Sequence, residues 1–195
     1  IVYADRYDTI FYISNGRIPV RDKSYNWKTT LPGNTSKTLW TELHPLSNLP
    51  QVLQPKSGYV YNTNHSPFHS TEGIDNPVVK DITMGYETLE NNRSMRFEEL
   101  VRPLHKVSYE DFKRIKFDRQ FPSSFYYPSK IDSVFLLNST EFPDIADIIT
   151  QLNNWNRNSD AESIGAGTFF FVQAAANKNK ALYLQNKFIS KTRAA

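Results

Sequence analysis

A stripe of large apolar residues near the end of the chain restricts its fold more than any other feature. These residues recur at the three- and four-residue spacing of one helix face, namely Ile145, Ile148, Ile149, Leu152 and Trp155. We predict a helix over 143–155 with this face buried. Residues 161–176 are its predicted helical partner, because Gly165 and Gly167 allow two helices to approach closely.

The beginning of the chain has the composition of strands rather than helices. Residues 1–4 and 9–14 are rich in Ile, Val, Tyr and Phe, and the polar residues between them suit a hairpin turn. From 15 to 57 the chain is rich in Gly, Pro, Asn, Ser and Thr, which predicts long surface loops. The alternation over 59–64 predicts a further strand.

Two shorter helices are predicted between these regions. Residues 92–101 have a helical pattern that ends before Pro103, and residues 109–118 follow a capping box formed by Ser108 and Asp111. The predicted fold class is therefore α+β, with antiparallel strands early and helices in the C-terminal half.

Composition excludes several classes of function. The chain has 195 residues, enough for one domain or a large piece of one, and two independent domains are not expected. Its net charge of +3 comes from 23 basic and 20 acidic residues spread along the chain, so we predict no nucleic-acid partner. The longest apolar runs fall short of 18 residues, so we predict no membrane span. The absence of cysteine excludes thiol nucleophiles and cysteine zinc sites within these residues.

Common catalytic motifs are also missing. The sequence has no Gly-x-Ser-x-Gly elbow, and the Gly165-Ala166-Gly167 stretch lacks the Lys of a phosphate loop. His65 and His69 have the spacing of a zinc helix, but Pro67 lies between them and no Glu follows His65. We predict no metal site at this pair.

The carboxamides of Asn62 and Asn64 lie close before Pro67, which would end any strand ladder. A carboxamide held at a strand end is a fixed hydrogen-bond donor that can stabilise an oxyanion. The structural alternative is that these Asn residues cap a turn, while Arg96 pairs with Glu99 or Glu90. Residue chemistry alone leaves both interpretations open.

An ordered series of motifs covers nearly the whole chain. It comprises ValTyrAlaAspArg at 2–6, GlyArgIleProVal at 16–20, LeuTrpThrGluLeu at 39–43, LeuProGlnValLeuGlnProLysSerGlyTyrValTyrAsnThrAsnHisSerPro at 49–67, ArgPheGluGluLeuVal at 96–101, ValSerTyrGluAspPheLysArgIle at 107–115 and LeuAsnAsnTrpAsn at 152–156. This series resembles the β chain of the penicillin acylase family of N-terminal nucleophile hydrolases. The resemblance implies part of an αββα fold.

The resemblance also implies an activity and its residues. Members of the family hydrolyse amides with an N-terminal Ser, or more rarely Cys or Thr, that autocatalytic cleavage of a precursor exposes. The family's oxyanion-stabilising Asn matches Asn64 in this sequence. Its active-site arginine best matches Arg96, and Arg93 is the rival. We therefore predict Asn64 and Arg96 as catalytic residues.

Further expectations follow from the same resemblance. Ile1 is not a nucleophile, so residues 1–195 are expected to be a single segment of the β chain that lacks the nucleophile region and is inactive alone. Expected partners are a small acylated amide substrate and the remaining α and β segments of the precursor. No cofactor is required, although Asp75 and the Gly16 carbonyl lie near the positions of the family's structural calcium. A periplasmic or secreted bacterial protein is expected, with a role in antibiotic metabolism.

A second hypothesis comes from a different class of protein. The aromatic residues of the predicted loops could form a platform that grips a sugar or a peptide without catalysis, namely Trp27, Trp40, Tyr59 and Tyr61.

Overall fold

The computed structural model describes residues 1–126 and 131–177. The chain divides into two compact units, Ile1–Glu90 and Asn91–Ala195.

The first unit contains a three-stranded antiparallel sheet. Its strands are β1 (Val2–Ala4), β2 (Ile10–Ile13) and β3 (Gln51–Leu53), in the order β1-β2-β3. The predicted hairpin between the first two strands is confirmed, with Tyr3 opposite Phe11. The Asp5 carboxylate fixes its turn, because one oxygen accepts the N–H groups of Tyr7 and Thr9 at 2.8 and 3.0 Å.

Strand β3 corrects the prediction that residues 15–57 contain only loops. It is three residues long, and only Val52 between its two exposed neighbours is buried. Val52 lies opposite Tyr12 of β2, and both side chains belong to the core of this unit. Three residues are too few for an alternating pattern to stand out from a loop-like composition.

The predicted strand over 59–64 is wrong. This segment has no ladder, and its backbone reaches a left-handed conformation at Asn64, where φ is 57°. A left-handed residue turns the chain and cannot continue a strand. Beyond it the unit continues through short 3-10 helices at Pro67–His69, Gly73–Asp75 and Ile82–Met84.

The described part of the second unit is helical. Its α-helices are α1 (Asn92–Val101), α2 (Tyr109–Lys116), α3 (Ala146–Asn153) and α4 (Ile164–Asn177). Helix α1 has the predicted bounds, and α2 begins at the predicted capping box of Ser108 and Asp111. Helix α3 is shorter than predicted because Pro143–Ile145 forms a 3-10 turn instead. Ile131–Leu136 is a further 3-10 helix.

The core of the second unit forms where α3 packs on α4. The predicted stripe is confirmed, with Ile145, Ile149, Leu152 and Trp155 buried and Ile148 packed beside them. From α4, Phe169 is fully buried and its ring stacks on Trp155 with 5.0 Å between centroids. Helix α4 begins at Ile164 rather than 161, and the Ser163 hydroxyl accepts the N–H of Ala166 at its start.

The secondary-structure content and order of the predicted fold class are confirmed: an antiparallel sheet comes early and α-helices come late. Among the helices of residues 1–126 and 131–177, none is both long and apolar enough to cross a membrane.

Candidate active site

Residues 57–76, called here the carboxamide loop, carry Asn62 and Asn64. Buried hydroxyl groups hold this loop together in place of strand pairing. The Thr71 hydroxyl is fully buried, donates to the Tyr59 carbonyl at 2.9 Å and lies 2.6 Å from the Ser57 hydroxyl. The Asn76 side chain exchanges two hydrogen bonds with the backbone of Thr71, each 3.0 Å. Buried polar networks that are satisfied in this way make a segment rigid.

Asn64 lies at the apex of a tight turn in the carboxamide loop. Its own N–H donates to the Asn62 Oδ1 at 2.9 Å, which is an Asx turn. The prediction of a carboxamide held at a strand end is therefore wrong, because Asn64 is exposed and lies in a left-handed turn. The structural alternative, that these Asn residues cap a turn, is confirmed for Asn62, whose side chain accepts the backbone N–H of Asn64.

The turn is connected to the sheet through Tyr12 of β2. The Tyr12 hydroxyl hydrogen-bonds to the Asn62 side chain, and burial raises the pKa of this hydroxyl although hydrogen bonds to Asn62 and Ser14 act to lower it. Tyr12 is only 2% exposed, so its position is fixed by the core. Tyr12 was not among the predicted site residues, because its partner lies 50 positions away and no local pattern indicates such a contact.

His65, next to Asn64, is buried and makes three polar contacts. Its Nδ1 lies 3.1 Å from the Thr63 N and 3.0 Å from the Thr63 hydroxyl, and its Nε2 lies 2.8 Å from the His69 carbonyl oxygen. The His65 ring stacks on Tyr61 at 4.6 Å. His69 is occupied by Glu90, whose carboxylate lies 2.7 Å from Nδ1. No sequence pattern indicates that the His65 ring contacts the backbone at both Thr63 and His69.

Arg96 of α1 is held by two carboxylates. Its Nε and Nη2 donate to the two oxygens of Asp118 at 2.8 and 2.9 Å, and its Nη1 donates to Glu99 at 3.1 Å. Its Nη2 also donates to Gln120 at 2.8 Å. The hydrogen bonds from Arg96 lower the pKa of Asp118 and raise that of Arg96. The predicted pairing with Glu99 is thus confirmed, and Asp118 is an additional partner.

These contacts favour a bracing role for Arg96. Four of the five guanidinium N–H groups donate to its neighbours, so the side chain fastens α1 to the segment after α2. Arg93 lies one turn earlier on α1 and is exposed. Both arginines belong to the second unit, whereas Asn64 belongs to the first.

We expect Arg96→Met to destabilise the chain by about 2 kcal/mol at pH 7, because charged hydrogen bonds are lost at a partly buried site. The folded pKa of Asp118 lies below its usual value of 3.8, so this contribution is present at neutral pH and is lost as the pH falls through the folded pKa. The variant should therefore lose less stability than the wild type between pH 6 and 3. Urea unfolding at several pH values measures this.

Arg17→Met is the control for that experiment, since it removes the same charge at an exposed arginine. It should keep the acid dependence of the wild-type chain. An identical pH profile for wild type and Arg96→Met would show that the contact between Arg96 and Asp118 does not contribute to stability.

Asp75, named above for a structural calcium, has a different contact in this structure. Its Oδ2 accepts the backbone N–H of Lys56 at 2.6 Å. Within the part of the chain that the structure describes, no three His, Asp or Glu side chains are grouped as a metal site requires.

Comparison with known proteins identifies the family. The family model described as penicillin amidase matches residues 1–188. The chain therefore belongs to the penicillin amidase family. It is also 38% identical over 65 residues to penicillin G acylase of Escherichia coli. That stretch is 33% of this chain and 8% of the relative, so the matched part spans a small fraction of the relative's length.

Proposed function

We propose that this chain is part of an amidohydrolase that cleaves an acyl-amide bond with an N-terminal Ser, or Cys or Thr, that lies outside residues 1–195. Family membership over residues 1–188 supports amide hydrolysis as the reaction. The single observation that supports a site here is the exposed Asn64, held at the apex of a turn in a rigid loop. The proposed complete protein has the αββα arrangement of N-terminal nucleophile hydrolases.

The proposed mechanism begins with attack of the nucleophile on the substrate carbonyl. Its own α-amino group, with an ordinary pKa near 8, takes the proton directly or through a water. Negative charge then develops on the carbonyl oxygen, and the Asn64 carboxamide donates a hydrogen bond to it. Collapse of the tetrahedral intermediate breaks the C–N bond as the α-ammonium group returns the proton to the leaving amine. The acyl-enzyme that remains is hydrolysed by water.

A donor fixed before the reaction stabilises the oxyanion without reorganising during the step. The Asx turn and the hydroxyl network of the carboxamide loop provide this fixation for Asn64. In the proposal, Arg96 braces the second unit by holding α1 to the segment after α2, and Arg93 is the alternative functional arginine. The bonds from Arg96 to Asp118 and Glu99 favour bracing over direct contact with substrate.

The proposed partners are a small acylated amide and the remaining α and β segments of the same precursor, which autoprocessing would separate. Nucleic acid and membranes are not proposed as partners. We place the complete protein in the periplasm or outside a bacterial cell, with a role in antibiotic metabolism. It requires no cofactor, and a structural calcium would need ligands besides Asp75.

The binding-module hypothesis has weaker support. Two of the four aromatic residues have Arg21 beside their rings, with its Cζ 5.6 Å from the centre of Trp27 and 5.3 Å from that of Trp40. Tyr61 is buried against His65. Burial removes Tyr61 from such a platform, while the Trp40 ring stays 62% exposed.

We expect the complete gene product to hydrolyse acyl amides, and we expect the 195-residue chain alone not to do so. Mass-spectrometric mapping of the mature N-termini should find Ser, Cys or Thr at the start of the β chain. Release of amine from a panel of chromogenic acyl anilides measures the activity. Turnover by the isolated 195 residues, or a mature β chain that begins with another residue, would contradict the proposal.

A further inference from the structure

We infer that His65 is a positioning residue that fixes Asn64 through one neutral tautomer of its imidazole. This inference rests on the proposed function, because positioning has a catalytic meaning only if Asn64 acts on the substrate. In this proposal His65 does not contact the reacting atoms. Its action on the reaction passes through the turn formed by Thr63, Asn64 and His65.

The protonation of the His65 ring follows from its neighbours. The Thr63 N–H lies 3.1 Å from Nδ1, and a backbone N–H can only donate. Nδ1 must therefore accept, so it carries no proton. The proton is on Nε2, which lies 2.8 Å from the His69 carbonyl oxygen and donates to it. The geometry thus selects the neutral ring with hydrogen on Nε2.

This tautomer connects both sides of the turn. Nδ1 holds the residue before Asn64, and Nε2 holds the end of the 3-10 helix Pro67–His69. Burial of the ring and its stacking on Tyr61 fix the ring plane. Asn64 between them has a φ of 57°, a left-handed conformation that Asn adopts more readily than most residues with a side chain, and the contacts of His65 hold the turn around it.

Loss of the His65 contacts is expected to affect the chemical step more than substrate binding. A donor that stabilises an oxyanion has to be placed to within a fraction of an ångström, and small misplacements lower the rate strongly. Loosening the turn should therefore lower kcat and leave KM almost unchanged. A merely structural role of His65 would lower the amount of folded enzyme but leave kcat per active site, measured by active-site titration, unchanged.

Two substitutions in the complete enzyme distinguish the roles of the two ring nitrogens of His65. An Asn side chain at this position can place its oxygen near Nδ1 and keep the bond from the Thr63 N–H. A Gln side chain can place its amide N–H near Nε2 and loses the acceptor for Thr63. We expect His65→Gln to lower kcat by about 10- to 100-fold with KM within about two-fold, and His65→Asn to restore most of the rate. His105→Gln, at an exposed histidine outside the carboxamide loop, should match the wild type.

A spectroscopic measurement tests the inference even if His65→Gln fails to fold. In the complete enzyme labelled with ¹⁵N-histidine, the His65 resonances should show Nδ1 without a proton and Nε2 with one at pH 7. They are assigned through their absence from the spectrum of His65→Asn. A proton on Nδ1, in a neutral or a charged ring, would overturn the inference.

Failure of this inference is distinguishable from failure of the proposed function. If Asn64→Ala lowers kcat while His65→Gln does not, the positioning role of His65 is wrong and the role of Asn64 stands. If Asn64→Ala has the wild-type rate, the proposed oxyanion donor is wrong and the positioning role falls with it.

Discussion

Replacing Asn64 with Ala in the complete enzyme will lower kcat by about 100- to 1000-fold, because one fixed donor to the oxyanion is removed. This corresponds to about 3–4 kcal/mol of lost transition-state stabilisation. The side chain of Asn64 is exposed, so its truncation opens no cavity in the core. The loss of folding stability should therefore be limited to about 1–2 kcal/mol of backbone strain at this left-handed position, and KM should change little. Steady-state kinetics on an acyl anilide, with thermal unfolding of the same samples, measures both effects.

The left-handed backbone of Asn64 requires a second variant. Ala is strained at a φ of 57°, whereas Gly adopts this conformation freely. Asn64→Gly removes the same carboxamide without that strain, so an equal loss of kcat in both variants assigns the effect to the missing donor. Asn34→Ala, at an exposed Asn far from the carboxamide loop in sequence, is the control. A wild-type kcat in both Asn64 variants would remove this residue from the mechanism.

The helices of the second unit could be predicted because their signals are local. The capping box of Ser108 and Asp111 marks the start of α2 within four residues, and Pro103 limits the end of α1. The middle of the stripe, Ile148, Ile149 and Leu152, lies on one face of α3, and Ile145 and Trp155 flank the helix, so the burial of the stripe follows from spacing. The exact start of α3 was not predictable, because Pro143 suits the first turn of either helix type.

The irregular structure of the carboxamide loop could not be predicted from local sequence patterns. Its alternating Tyr, Val, Tyr and Asn residues have the pattern of a strand, but no neighbouring strand pairs with them in the first unit. Their polar groups bond instead to Thr71, Ser70 and Tyr12, which lie up to 50 positions away. Strand propensity depends on such a context, and here tertiary contacts override it.

The candidate site was only partly predictable for the same reason. Asn64 could be selected through the family resemblance, while its chemistry alone allowed a turn-capping role that the structure also shows for Asn62. The pairing of Arg96 with Glu99 follows from helix spacing, but Asp118 lies 22 residues later and no spacing rule indicates it. His65 was considered only as a metal ligand, since a buried acceptor for a backbone N–H leaves no pattern in sequence.

The two glycines of α4 show what sequence alone does not predict about the packing of one helix. Both were predicted to allow close contact, yet the structure gives this role to one of them. A Cβ atom added to Gly165 would lie 2.6 Å from three side-chain atoms of Trp155, whereas one added to Gly167 meets no atom within 4 Å. Composition shows that a helix contains small residues, and only packing shows which of them faces its neighbour.

Gly165→Ala is therefore expected to destabilise the chain by about 3 kcal/mol, near the upper end for overpacking of a core. Trp155 cannot move aside easily, because its Nε1 donates to the Asn158 carbonyl at 2.8 Å and lies 3.1 Å from the Ser163 hydroxyl. Its ring also stacks on Phe169 in the aromatic core. The new methyl group must then displace α4 or break these contacts. Thermal and urea unfolding measure the change.

Gly167→Ala is the matched control, two residues further along the same helix. Its methyl group meets open space, and Ala is a better helix former than Gly by about 1 kcal/mol. This variant should be as stable as the wild type or more stable by up to that amount. The two substitutions are chemically identical, so opposite signs identify contact with Trp155 as the cause. Equal stability of the two variants would mean that α4 does not approach Trp155 through Gly165.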